Sequence, residues 1–126
     1  VSATLSGTFK AILSDSINDA ISRLPIIGPI FNTHGERVAN DSADFWDSSL
    51  DSAIRYDQYG ATAPTGRSWA GTQTNGTAHS NTCNDWTLTT GIGNTNFSPN
   101  YTNSYWLYHS AAQNCTDSYT LMCISQ

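Results

Sequence analysis

GTFKAIL at residues 7–13 and SDSINDAISRL at 14–24 change their apolar period where they meet. In the first run Phe9, Ala11 and Leu13 fall on one side and Lys10 and Ile12 on the other, the alternation of a half-buried strand. From Ser14 the spacing widens, so that Ile17, Ala20, Ile21 and Leu24 share one face of a short helix. Ser14 or Asp15 can cap that helix and Pro25 stops it by residue 24. Downstream, PIFNTHGERVA (29–39) reads as two short strands around a turn at His34 and Gly35. NDSADFWDSSL (40–50) reads as a second short helix, capped by Asn40, Asp41 or Ser42, that turns Phe45 and Trp46 inward. Beyond it the helical signal stops. AIRYD (53–57), RSWAGT (67–72), the segment after Gly76 and Asn81, YWLYHS (105–110) and YTLMCIS (119–125) are strand-like pieces separated by polar loops. No repeat of 20 to 50 residues is visible in the chain. The expectation is a small α+β domain with two short helices, a twisted antiparallel sheet and long loops.

Size and composition narrow the function. A chain of 126 residues and 13.6 kDa can bury one core, and a two-domain enzyme is excluded. Charged residues are 12% of the chain, about half the usual share, while Ser, Thr and Asn fill 43 positions. With 4 Trp, 6 Tyr and 4 Phe against a net charge of −5, the sequence is expected to fold. All five cations (Lys10, Arg23, Arg37, Arg55 and Arg67) and eight of the ten acids precede residue 68, leaving Asp85 and Asp117 as the only charges after it. A near-neutral second half cannot hold a phosphate backbone, so nucleic acid is not an expected partner. The longest apolar stretch, LPIIGPIF at 24–31, is broken by two prolines and a glycine, so no membrane insertion is expected. With no initiating Met and no signal peptide, the chain reads as a piece of a longer, exported protein.

Cys83, Cys115 and Cys123 form no CxxC pair, and no Cys/His spacing suits zinc. In an extracellular setting the odd count implies one bridge, from Cys83 to Cys115 or Cys123, plus either a leftover thiol or a cysteine whose partner lies in upstream sequence. GRSWA at 66–70 departs from a nucleophile elbow at Ala70, and AGTQTNG after it cannot start the helix an elbow needs. His34, His79 and His109 lie on separate segments and read as surface histidines in turns. Asp41, Asp44 and Asp47 lack the glycine turn and terminal glutamate of a calcium loop, and read as a helix cap and a solvated face. No metal, cofactor or catalysis is therefore expected. Of Trp69, Trp86, Trp106, Tyr101, Tyr105 and Tyr108, about two in three are expected in the core of so small a domain, and any left exposed can stack on sugar rings. Five N-x-S/T sequons, at Asn40, Asn75, Asn96, Asn100 and Asn114, fall in a chain this rich in Asn and Thr.

SGTFKAILSDSINDAISRL (6–24), PIFNTHGERV (29–38), ADFWDSSL (43–50), RSWAGTQTNG (67–76), NTCNDWT (81–87) and NCTDSYTLMCIS (114–125) together resemble the endostatin-like branch of the C-type lectin-like fold. The last three are the most specific. The resemblance implies a bridge from Cys83 to Cys115, and leaves Cys123 without the upstream cysteine that the family's last cysteine pairs with. It does not carry over zinc, because the family's histidine-containing N-terminal site and broad arginine-rich surface are missing. Nor does it carry calcium-dependent sugar binding, since only the scrambled string CNDW (83–86) stands for the lectin motifs.

What the resemblance does imply is an extracellular or bacterial cell-surface binding domain, residues 1–126, forming the C-terminal head of a trimeric collagen-like or fibrous stalk, with 1–6 as linker. The expected partner is a sulfated glycosaminoglycan or matrix protein, held electrostatically by Lys10, Arg23, Arg37, Arg55 and Arg67. Arginine suits sulfate because its planar fork pairs two oxygens, and a homotrimer multiplies weak contacts. The alternatives are a fibre tip that takes neutral glycan or protein through the aromatic and amide-rich loops at 72–108, and a trimerisation cap without ligand.

Overall fold

A computed structural model of the chain describes residues 5–63 and 66–126. The regular elements are β1 (Phe9–Ala11), α1 (Ala20–Arg23), β2 (Ile30–Phe31), β3 (Arg37–Ala39), α2 (Ser42–Phe45), β4 (Ser68–Trp69), α3 (Cys83–Trp86), β5 (Ile92–Gly93), a 3-10 turn (Ser104–Trp106), β6 (Gln113–Asn114), β7 (Thr120–Leu121) and β8 (Cys123–Ser125). Helices and strands are mixed, as an α+β chain requires. The strands form separate two-stranded ladders. β1 pairs antiparallel with β8, β2 with β3 and β5 with β6, while β4 pairs parallel with β7. Among the described residues the twisted antiparallel sheet expected from the sequence is broken into four two-stranded ladders, three of them antiparallel.

Two local readings hold and two need correction. Asn32 N–H donates to Glu36 O and Gly35 takes a positive φ of 78°, which closes the hairpin between β2 and β3. α2 is capped by Asp41, whose carboxylate accepts from Asp44 N–H at 3.1 Å, and it delivers Phe45 and Trp46 to the core. α1 is shorter than expected, a single turn from Ala20. The preceding residues instead wrap Asp15, which accepts from the N–H groups of Ile17 and Asn18, so Ile17 is 88% exposed. On β1 the buried side chain is the following Ile12, with Phe9 left exposed. Of the expected 1–6 linker, residues 1–4 lie outside the described residues, and Leu5 and Ser6 are exposed.

Trp106, Phe45, Leu24, Leu107 and Val38 form the buried centre, with Trp46, Ile12, Leu50 and Met122 around it. YWLYHS is not a strand: it holds the 3-10 turn that inserts Trp106, whose ring lies 4.9 Å from Phe45. Of the six aromatics singled out in the sequence, Trp106 is buried, Trp69, Trp86 and Tyr108 are half-buried, and Tyr101 and Tyr105 are exposed. Buried polar side chains complete the interior. Ser14 Oγ lies 2.9 Å from Thr72 Oγ1 and accepts from Ala20 N–H, and Asn96 bridges two chain segments. With strands of two or three residues, side chains take over hydrogen bonds that ladders would otherwise make. Among the described residues no helix is long and apolar enough to cross a membrane.

Candidate functional site

The Cys83–Cys115 disulfide is present, and Cys123 is free among the described residues. Partial burial of its sulfur raises the Cys123 thiol pKa, which disfavours the thiolate. CNDW at 83–86 forms a turn whose four residues all have positive φ, between 51° and 63°. L-residues adopt this left-handed winding at a cost, so other contacts must hold it. The disulfide supplies one. Thr82 Oγ1 accepts from Asp85 N–H at 3.2 Å, and Trp86 Nε1 donates to Ser14 O at 2.8 Å. The Asp85 carboxylate accepts from Ser16 Oγ and Ser16 N–H at 2.6 and 2.7 Å, which holds its pKa below the usual carboxylate value. These contacts join two segments far apart in the chain, so the turn is a clasp between residues 14–16 and 82–86.

The five expected cations are not equivalent. Arg37 Nε binds Asp51 at 2.8 Å and Arg55 Nη2 reaches Glu36 at 3.9 Å, which partly neutralises both. The surface beside them is acidic: Asp41, Asp44, Asp47 and Asp51 line one hollow with Arg37. Those carboxylates are engaged by their own chain, since Asp41, Asp44 and Asp47 accept from the N–H groups of Asp44, Asn40 and Ser49. Arg23 is exposed and donates to Leu13 O, and Lys10 is exposed on β1. Arg67 shares with Lys10 and Arg23 the lack of a carboxylate partner among the described residues, and with Arg55 a ring contact, the Arg55 guanidinium lying 5.1 Å from the Tyr56 ring centre. Arg67 is set apart by lining a cleft with no acid in it. Its guanidinium stands 5.5 Å from the centre of the Phe97 ring and donates only two long bonds, both from Nη1 at 3.4 Å, to Thr95 Oγ1 and Asn96 O. Among the described residues it has no carboxylate partner.

Arg67 opens a cleft of about 540 Å³ lined by Gly66, Phe97, Ser98, Asn100 and Tyr101, with no acid among them. Beside it lies an exposed aromatic cluster. Phe97 is 5.4 Å from Tyr101, 5.7 Å from Tyr105 and 5.1 Å from His109, centre to centre. The backbone fixes these rings by alternation with the core: Asn96 points in and Phe97 out, Tyr105 out and Trp106 in. Phe97 N–H donates to Tyr105 O, and Asn103 caps the 3-10 turn by accepting from Tyr105 N–H. Thr102 O and Pro99 O accept from the N–H groups of Leu50 and Arg55, which pins the loop on its far side. Tyr101 and Tyr105 stood among the sequence candidates for sugar stacking. Phe97 and His109 were missed there as members of one cluster. The signal available was the recurrence of Phe97, Tyr101, Tyr105 and His109 at every fourth position in a loop otherwise mostly small and polar.

Compared with protein-family models and with curated proteins, the chain matches none.

Proposed function

We propose that this domain is a non-catalytic recognition module that works outside the cytoplasm, as an adhesin head. It binds a sulfated glycosaminoglycan or a similar anionic matrix polymer at the Arg67 cleft rather than evenly over five cations. The observation that carries this reading is Arg67 itself: an arginine without a carboxylate partner among the described residues, at the edge of a cleft with no acid in its lining. Such a guanidinium keeps N–H donors for sulfate or carboxylate oxygens. Arg37 and Arg55 are spent on Asp51 and Glu36 beside an acidic hollow, and contribute little to a polyanion's affinity. The endostatin-like resemblance supports the same reading, and the disulfide suits an oxidising compartment. A net charge of −5 repels polyanions at long range, so one site per chain binds weakly, and a homotrimeric head would recover affinity through avidity.

The test is heparin binding by the purified domain at low and at physiological salt, with light scattering on the same sample for its oligomeric state. Arg67→Gln is expected to lose about tenfold in affinity, whereas Arg37→Gln and Arg55→Gln stay within about twofold. Absence of binding at low salt overturns the reading. Equal losses at Arg37, Arg55 and Arg67 return it to the diffuse five-cation surface.

A further inference from the structure

Phe97, Tyr101 and Tyr105 form a triangle on the surface, with ring centres 5.4 to 5.7 Å apart and exposures of 39%, 38% and 46%. Their mutual geometry is not a flat stack. Phe97 and Tyr105 are tilted by 41° to one another, while Tyr101 stands at 81° to Phe97 and 89° to Tyr105. Two inclined rings thus meet a third that rises almost perpendicular to them, making an angular corner. Arg67 flanks the corner on the Phe97 side, and Ser98 and Asn100 border the adjoining cleft.

From this geometry we infer that the corner is a stacking subsite for one pyranose ring of a glycan chain. The inference rests on the anionic-polymer reading above and supplies the part of that ligand which the charge does not explain. A pyranose has an apolar face of C–H groups and a rim of hydroxyls. The face packs against an aromatic ring through dispersion, and the rim needs amide and hydroxyl partners nearby. Asn100 and the two tyrosine hydroxyls provide such a rim within the same loop. Arg67 meets an anionic substituent carried on that ring or the next one. The rings read the sugar and the guanidinium reads its charge, so affinity has two parts, one insensitive to salt and one sensitive.

The two parts are separable with a heparin-derived octasaccharide and the same chain chemically desulfated, re-N-acetylated and carboxyl-reduced, which leaves it without charge. Binding of each is measured by titration calorimetry at low and high salt. For the wild-type domain the desulfated chain is expected to bind weakly and with little salt dependence. Tyr101→Ala combined with Tyr105→Ala is expected to weaken both chains by the same factor, about tenfold, at either salt. Tyr105→Phe keeps the ring and is expected to retain most binding. Arg67→Gln is expected to weaken only the sulfated chain and to flatten its salt dependence. Far-ultraviolet circular dichroism and thermal melting confirm that each variant is folded. If folded Tyr101/Tyr105 alanine variants bind both chains as the wild type does, the stacking subsite is refuted while the Arg67 reading stands. If the wild type ignores the sulfated chain but binds the desulfated one through the tyrosines, the subsite stands and the anionic reading falls. Binding of neither chain overturns both.

Discussion

Asn96 is wholly buried, and its amide joins two segments: Oδ1 accepts from Ser68 N–H at 2.7 Å and Nδ2 donates to Trp106 O at 3.0 Å. Its sequon is therefore closed to any surface modification. Asn96→Ala strands both backbone groups in the interior and is expected to cost about 3 kcal/mol, read from urea unfolding midpoints at unchanged slope. It should also loosen Phe97 next door and weaken ligand binding. Gly76 makes a second point at this scale. Its φ is +83°, and a Cβ there would lie 2.7 Å from Ile21 Cβ and 2.8 Å from Trp46 Cδ2. Gly76→Ala is expected to destabilise by about 2 kcal/mol or more. Gly28→Ala, where nothing lies within 4 Å, is expected to stay within about 0.5 kcal/mol in the same urea titrations.

Elements this short cannot stand alone. A four-residue helix is below the length at which propensity sustains it, so α2 persists through its Asp41 cap and the packing of Phe45. In α1 the N-cap Asp19 makes no side-chain cap bond, and the helix persists through the Ala20 N–H to Ser14 Oγ contact and the packing of Ala20 and Leu24. The 83–115 bridge spans 32 residues, and these include the left-handed turn, β5 and the whole aromatic loop. In the chain-entropy model a loop of that size is worth about 3–4 kcal/mol. Cys83→Ser with Cys115→Ser is expected to lower stability by that amount in denaturant titration. If the left-handed turn depends on the bridge, amide protons at residues 83–88 should lose exchange protection ahead of those in β1 and β8.

Acid acts on the whole molecule in two stages. Burial lowers the His79 pKa from the ordinary 6.5, and its Nδ1 accepts from Asn81 N–H at 3.0 Å, a contact only the unprotonated nitrogen can make. The unfolded chain then binds the proton more readily, so stability is full above pH 6.5 and declines as pH falls below it. Asp15 and Asp85 are lowered from 3.8 by hydrogen bonds from Ile17 and Ser16 respectively, so their contribution is present above that value and is lost below it. Melting temperature against pH is expected to show both declines, and His79→Gln to remove the first and leave the second. A single decline near pH 4 in the wild type would contradict the role given to His79.

The amino-acid sequence by itself determined what local chemistry can encode. A cap among Asn40, Asp41 and Ser42 starts α2, Gly35 turns the hairpin and Phe45 with Trp46 goes inward, because each depends on neighbours within a few residues. The cysteine count foretold one bridge, and the resemblance named the Cys83–Cys115 pair. The pairing of Ser68 with Thr120 in parallel was not legible, nor was the inward turn of Ser14 and Asn96, because strands of two residues carry no register in their pattern. The same holds for the site. Five cations look alike in sequence, but folding brings Asp51 to Arg37 and Glu36 to Arg55 and leaves Arg67 beside Phe97. Only tertiary structure decides which charges are matched and which rings face water, because both depend on contacts between segments far apart in the chain.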